Sequence, residues 1–170
     1  LYVGSYTQPS VLALARDSAR SDMDYVMVGG RVPSIRGLPL MRPPYSRVTA
    51  IDLKTGEHAW MVAAGDTPES IRNNSALAGI DVPRTGSHAR PLLLVTQTLL
   101  FSAEGWGGAP VLHVLDKQTG ATLHELRVAG QIGSQPMTYM LDGRQYIAFW
   151  VGDTRSSTPA RLVVYALPRP

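Results

Sequence analysis

Twelve residues, Thr49–Trp60 (TAIDLKTGEHAW), are written a second time at His113–His124 (HVLDKQTGATLH). From Asp52 the offsets to Thr55, Gly56 and Trp60 are three, four and eight, and from Asp116 the same offsets reach Thr119, Gly120 and His124. A repeat of this kind points to units that stack on copies of themselves, against the alternative of a generic hairpin written twice. The local physics of each copy is a strand–turn–strand. Val48, Ala50 and Ile51 suit the end of a buried strand. The Asp carboxylate accepts from backbone N–H groups two or three residues on, and Gly56 supplies the positive φ of a tight hairpin. Trp60 then stands on the returning strand, where its ring is expected to be largely buried against a neighbouring unit.

Composition agrees with many short strands. Only 17% of the 170 residues are charged, 44% are hydrophobic, and Gly 16 with Pro 13 supply turn-formers at about one residue in six. The net charge of +3 comes from 16 basic and 13 acidic residues scattered along the chain, with no basic run interleaved with aromatics, so no nucleic-acid partner is expected. The absence of cysteine excludes disulfides and thiolate metal sites. No apolar run approaches the length of a membrane span. Leu1 is not a methionine and opens inside a strand-like alternation, which suggests a fragment of a longer chain.

Strands are expected at Leu1–Tyr6, Val11–Ala15, Asp24–Val28, Arg47–Asp52, His58–Ala63, Pro91–Thr96, Leu99–Ser102, Val111–Asp116, Thr122–Val128, Pro136–Leu141, Gln145–Val151 and Arg161–Leu167. The fold class is therefore all-β. Taken in fours, twelve strands make about three blades of a partial β-propeller, with residues 1–170 as one piece of a single domain. The repeat spans 64 residues, more than a blade needs, and the excess lies in a turn-rich insertion loop at residues 65–88. Long ordered loops of this kind tend to carry function. A second irregular stretch, Gly29–Tyr45, contains four prolines and cannot lie inside a sheet.

The ordered series AIDLKTGEHAWM, LLVTQTLLFSAEG, VLDKQTG and PMTYMLDGRQYIAF resembles the C-terminal part of quinoprotein dehydrogenases that use pyrroloquinoline quinone (PQQ), the membrane-associated glucose dehydrogenase-like group in particular. The resemblance covers about Pro43 to Pro168 securely. It implies an eight-bladed ring of four-stranded blades pinned by tryptophan docking motifs, with Trp60 as a docking residue and His124 as its degenerate counterpart. It also implies PQQ chelating Ca²⁺ near the propeller axis, and an alcohol or sugar as the small-molecule substrate. Electrons would pass to a quinone or cytochrome acceptor. The expected location is periplasmic, with a membrane anchor in a missing N-terminal region.

No catalytic residue is carried over securely, because the general base and the metal ligands of the family are expected in blades upstream of Leu1. These missing N-terminal blades are an expected partner of the segment, and the segment alone is expected to be inactive. Arg90, in the stretch leading into LLLVT, is the candidate for pairing with a PQQ carboxylate, since a guanidinium fork matches a carboxylate. The competing reading of Arg90 is a solvated loop cation. Sugar-oxidising relatives carry Gly-Gly-His where this chain has Gly152-Asp153-Thr154, so Thr154 replaces the histidine and glucose specificity is in doubt. Asp153 and Thr154 are candidates for the substrate pocket. Asp153 is also a candidate replacement base, against its ordinary reading as a turn former. Arg90 and the Gly152–Thr154 turn are expected to border one cavity. His58, His88, His113 and His124 show no metal-ligand spacing. Two alternatives stand beside the enzyme: a non-catalytic PQQ-like repeat propeller acting as a binding or assembly scaffold, and an unrelated β-sandwich.

Overall fold

Fourteen strands make up almost all the regular structure in the computed structural model, which describes residues 1–152 and 159–167. They are β1 (Tyr2–Tyr6), β2 (Val11–Ala15), β3 (Val26–Gly30), β4 (Ser34–Ile35), β5 (Leu38–Pro39), β6 (Ser46–Ile51) and β7 (His58–Ala63). After a four-residue helix, α1 (Glu69–Arg72), come β8 (Pro91–Val95), β9 (Leu99–Glu104), β10 (Val111–Asp116) and β11 (Thr122–Arg127). The last three are β12 (Met137–Leu141), β13 (Arg144–Val151) and β14 (Arg161–Ala166). Every strand expected from the sequence is present. The two-residue β4 and β5 were not foreseen; they form a small hairpin inside the proline-rich stretch, where Pro39 removes no ladder bond from a sheet interior.

Three antiparallel sheets stand side by side as blades of a partial β-propeller. Their orders are β1-β6-β7, β8-β9-β10-β11 and β12-β13-β14. The middle sheet has the expected four strands, and its neighbours have three each among the described residues. The difference from three sets of four arises because β2 and β3 pair only with each other. They belong to an excursion, residues 7–45, that leaves the first sheet after β1 and returns at β6.

The two Asp-x-x-Thr-Gly turns occupy equivalent places, joining β6 to β7 and β10 to β11. Each ladder slips by one residue at the same point, after Ala50 and after Val114. In each turn the glycine N–H donates to the aspartate carbonyl, at 2.8 Å for Gly56 and 2.9 Å for Gly120, and both glycines have φ of 76°. The Asp116 carboxylate accepts from the N–H groups of Thr119 and Gln118 and from the Thr119 hydroxyl. The Thr119 N–H bond leads in holding its carboxyl below the ordinary carboxylate value.

The core lies between sheets, as stacking blades require. Val48, Ala64, Leu100 and Leu115 fill the first junction, with Tyr2, Trp60, Val62 and Leu93 packed around them. Phe101, Ala103, Leu112, Val128, Ile132, Phe149 and Val151 fill the second. Trp60 crosses the first junction. A Cβ added to Gly120 would lie 2.7 Å from the Trp60 ring, so the indole rests directly on the glycine of the next sheet's turn. The indole N–H donates to the Lys117 carbonyl at 3.3 Å, and the Tyr2 hydroxyl donates to the same oxygen at 3.0 Å. Trp60 is half-buried, not largely buried, because β7 is an edge strand of its sheet. At the second junction His124 is exposed on β11. Trp150 of β13 covers Gly133 in the connection before β12, where a Cβ would come within 2.0 Å of the ring.

Candidate functional site

The excursion 7–45 and the connections 64–90 from β7 to β8, 105–110 from β9 to β10 and 128–136 from β11 to β12 gather at one end of the three sheets, together with Gly152 after β13. Their shared position follows from the antiparallel pairing, which returns alternate connections to the same end. Hydrogen bonds tie them in series. The Gly105 N–H donates to the Arg90 carbonyl at 3.1 Å, the Gln131 side-chain amide donates to the Gly105 carbonyl at 3.1 Å, and the Gly152 N–H donates to the Gln131 carbonyl at 2.9 Å. Arg90 and Gly152 thus stand three hydrogen bonds apart on one rim.

Arg90 immediately precedes β8, the edge strand of the middle sheet next to β1, and its residue is exposed while its neighbour Ala89 is buried. The head of β8 is rigidly seated. The Ser46 hydroxyl donates to the Ala89 carbonyl, and the Ser87 N–H donates to the Ala64 carbonyl at 2.8 Å. Gly86 is pressed onto β6 so closely that a Cβ would lie 2.3 Å from the Ser46 carbonyl oxygen, and its φ of +73° is one that glycine adopts without strain. The guanidinium of Arg90 makes no hydrogen bond or ion pair with any described residue. His88 is exposed and lies against the Tyr45 ring at 4.8 Å between centroids; Tyr45 is buried, and burial raises its hydroxyl above the ordinary tyrosine value.

The connection 64–90 contains α1 and a short 3₁₀ turn at Ser75–Leu77. Its base is closed by the Arg84 Nε–H donating to the Gly65 carbonyl at 2.7 Å and by the Thr85 N–H donating to the Thr67 hydroxyl at 3.0 Å. Asp66 accepts from the Thr67 N–H and pairs with Arg72 at 2.7 Å; these contacts, the Thr67 bond first, lower its carboxyl.

Two clefts open between the sheets. A cleft of about 360 Å³ opens between the first and second sheets and is lined by Val48, Val62, Arg84, Ser102 and His113 among others. A wider one of about 800 Å³ lies between the second and third sheets, lined by Leu99, Phe101, Leu126, Tyr146 and Tyr165 among others. Neither includes Arg90 or Gly152. Asp153 and Thr154 lie outside the described residues. Among the described residues no group of three or more His, Asp or Glu side chains could hold a metal ion. No helix among them is long and apolar enough to cross a membrane.

One group of polar residues escaped sequence reasoning. His113 on β10 is 4% exposed and has Glu104 of β9 on one ring nitrogen at 3.0 Å and Glu125 of β11 on the other at 3.1 Å. Glu104 itself is 5% exposed. Histidine spacing could not reveal this cluster, because its members meet by cross-strand pairing.

Residues 7–147 match the family model described as "PQQ: Glucose/ethanol/alcohol dehydrogenase, beta-propeller domain". The chain is 34% identical over 155 residues to a "Probable quinate dehydrogenase (quinone)" of Xanthomonas campestris pv. juglandis, an alignment covering 85% of this chain and 18% of that protein. It is 31% identical over 137 residues to "Quinoprotein glucose dehydrogenase A" of Acinetobacter calcoaceticus, covering 78% of this chain and 16% of that one. It is 29% identical over 140 residues to "Glycerol dehydrogenase large subunit" of Gluconobacter oxydans (strain 621H), covering 78% and 18%. The chain therefore spans less than a fifth of the length of these curated relatives.

Proposed function

This chain belongs to the glucose/ethanol/alcohol dehydrogenase family of PQQ β-propeller domains, and we propose that it forms the C-terminal blades of a PQQ-dependent dehydrogenase that oxidises an alcohol or sugar. The observation that carries the reading is the Arg90 guanidinium, which no described residue pairs, exposed on a rim whose backbone is fixed on both sides. An arginine in this setting fits a carboxylate-rich cofactor, since its planar fork bonds a carboxylate through two parallel N–H groups. PQQ, when bound, supplies the two-electron acceptor for the substrate's C–H bond.

On this reading Arg90 holds one cofactor carboxylate, and the Gly105–Gln131–Gly152 series keeps the rim at a fixed distance from it. Asp153 and Thr154 would border the substrate, with Thr154 disfavouring a glucose-type sugar. The general base, and the oxygen ligands for a hard cation such as Ca²⁺, would come from blades outside this chain. A quinone is the proposed electron acceptor, in line with the relative named as a quinone-linked quinate dehydrogenase, and a cytochrome is the alternative acceptor. The proposed location is the periplasm, with a membrane anchor elsewhere in the protein. The relatives named above are all dehydrogenases, which supports the catalytic reading over an assembly scaffold.

The test is turnover by the full-length protein loaded with PQQ and Ca²⁺. Quinate, glucose and glycerol are each offered with a soluble quinone as acceptor. PQQ-dependent quinone reduction with at least one of them is expected; a loaded protein that oxidises no alcohol or sugar would leave the scaffold reading standing.

A further inference from the structure

The buried contacts of His113 constrain its proton count. Carboxylate oxygens only accept, so a ring nitrogen without a proton would set its lone pair against another lone pair at 3.0–3.1 Å. With both glutamates ionised, both contacts are hydrogen bonds only if both ring nitrogens carry protons. The surrounding charges agree. Glu104 comes from β9, Glu125 from β11, and Arg84 from the connection 64–90, with its guanidinium 3.7 Å from the Glu125 oxygen that His113 also contacts. With an imidazolium the four charges sum to zero; with a neutral ring a net negative charge is left beside a largely apolar junction, which is costly. Asp66 is the other ionised group near Arg84, and it is already paired with Arg72. The wall contributed by the first sheet is Val48, Val62, Ala63 and Ala64, with no charge.

We propose that His113 is an imidazolium joining Glu104, Glu125 and Arg84 into one clasp, and that this clasp positions residues 84–90 and Arg90 with them. The other end of the clasp reaches the same rim: the second carboxylate oxygen of Glu104 accepts from the Ala109 N–H at 3.2 Å, pinning the 105–110 turn. Arg84 links it to the closed base of the long connection through Gly65. From Thr85 the Tyr45 N–H bond at 2.7 Å, and from Ser87 the bond to Ala64, carry the fixed geometry to the head of β8. His113, Glu104, Glu125 and Arg84 are positioning residues, and the role given to Arg90 rests on the proposed binding of PQQ; the clasp itself does not.

The experiment has two arms that need no cofactor and one that does. In the full-length protein labelled with [¹⁵N]histidine, the His113 signals, assigned by their loss in His113→Asn, should place both ring nitrogens in the protonated range at neutral pH. A non-protonated ring nitrogen overturns the imidazolium. Glu125 is half-exposed, so Glu125→Gln should fold; trypsin should then cut the 64–90 connection several-fold faster than in wild type, and an unchanged rate overturns the clasp's hold on that connection. In the loaded protein, Glu125→Gln should weaken PQQ binding several-fold. Equal PQQ affinity with faster cutting refutes the positioning of Arg90 alone. If PQQ binds neither protein, the reading of Arg90 as a cofactor contact fails while the first two arms still judge the clasp.

Discussion

Removing the Trp60 ring tests the junction between the first two sheets. In Trp60→Ala three things go at once: the apolar face on Gly120, the tilted contact with Tyr2 at 5.8 Å between centroids, and the bond to the Lys117 carbonyl. A fully buried tryptophan truncated to alanine costs about 3–5 kcal/mol. Trp60 is half-buried, and its hydrogen bond is long and leaves an acceptor that Tyr2 still serves, so the expected loss is about 2–3 kcal/mol. Gly120→Ala provides the converse perturbation. Its new Cβ meets the indole at 2.7 Å, and its φ of +76° adds left-handed strain of about 1–2 kcal/mol. In the Trp60→Ala background the collision is gone and only the strain remains. Urea denaturation of the four proteins should therefore show the double mutant less destabilised than the sum of the singles by about 1–2 kcal/mol. Additive losses would mean that the ring does not rest on the glycine.

Gly86→Ala should destabilise the protein by about 2–5 kcal/mol, from the collision with the Ser46 carbonyl and the positive φ together; a shift in the urea midpoint worth less than 1 kcal/mol would contradict the close approach. Asp116 has a lowered carboxyl, so its stabilisation is complete above the unfolded value, about 4, and is lost as pH falls through the folded value. The melting-temperature gap between wild type and Asp116→Ala should be constant near neutrality and shrink below about pH 4; a gap independent of pH would refute the role of the ionised carboxylate. Thr154→His should move the ratio of kcat/KM values toward sugar substrates in the loaded full-length protein. An unchanged ratio would remove that position from the pocket.

Much of the fold was legible because strands and turns announce themselves locally. The Asp, Thr and Gly of each repeat fix a turn whose bonds lie within five residues, and the offset match placed β6 and β10 in equivalent positions. The excursion 7–45 was less legible, since Val11–Ala15 and Val26–Gly30 have good strand patterns but pair only with each other. Nothing in the pattern of a strand says which strand it will join. The exposure of Trp60 was misjudged for the same reason: β7 is an edge, a property of the sheet and not of the segment. The Glu104–His113–Glu125 group shows the limit most clearly. Glu125 stands directly across from His113 in the ladder, and Glu104 lies two residues beyond Ser102, which is the other cross-strand partner of His113. These contacts depend on register, which the linear order of histidines and acids does not contain.

The central claim is that Arg90 holds PQQ from the rim of these blades, and equilibrium dialysis of PQQ with Ca²⁺ against the full-length protein tests it most directly. Arg90→Ala should weaken binding by about 1.5–3 kcal/mol, the worth of a hydrogen bond to a charged group, or roughly 10- to 150-fold in Kd. The fold should be untouched, because the Arg90 side chain bonds no described residue and its carbonyl bond to Gly105 is kept by alanine. Wild-type and Arg90→Ala proteins with the same PQQ affinity would contradict the account.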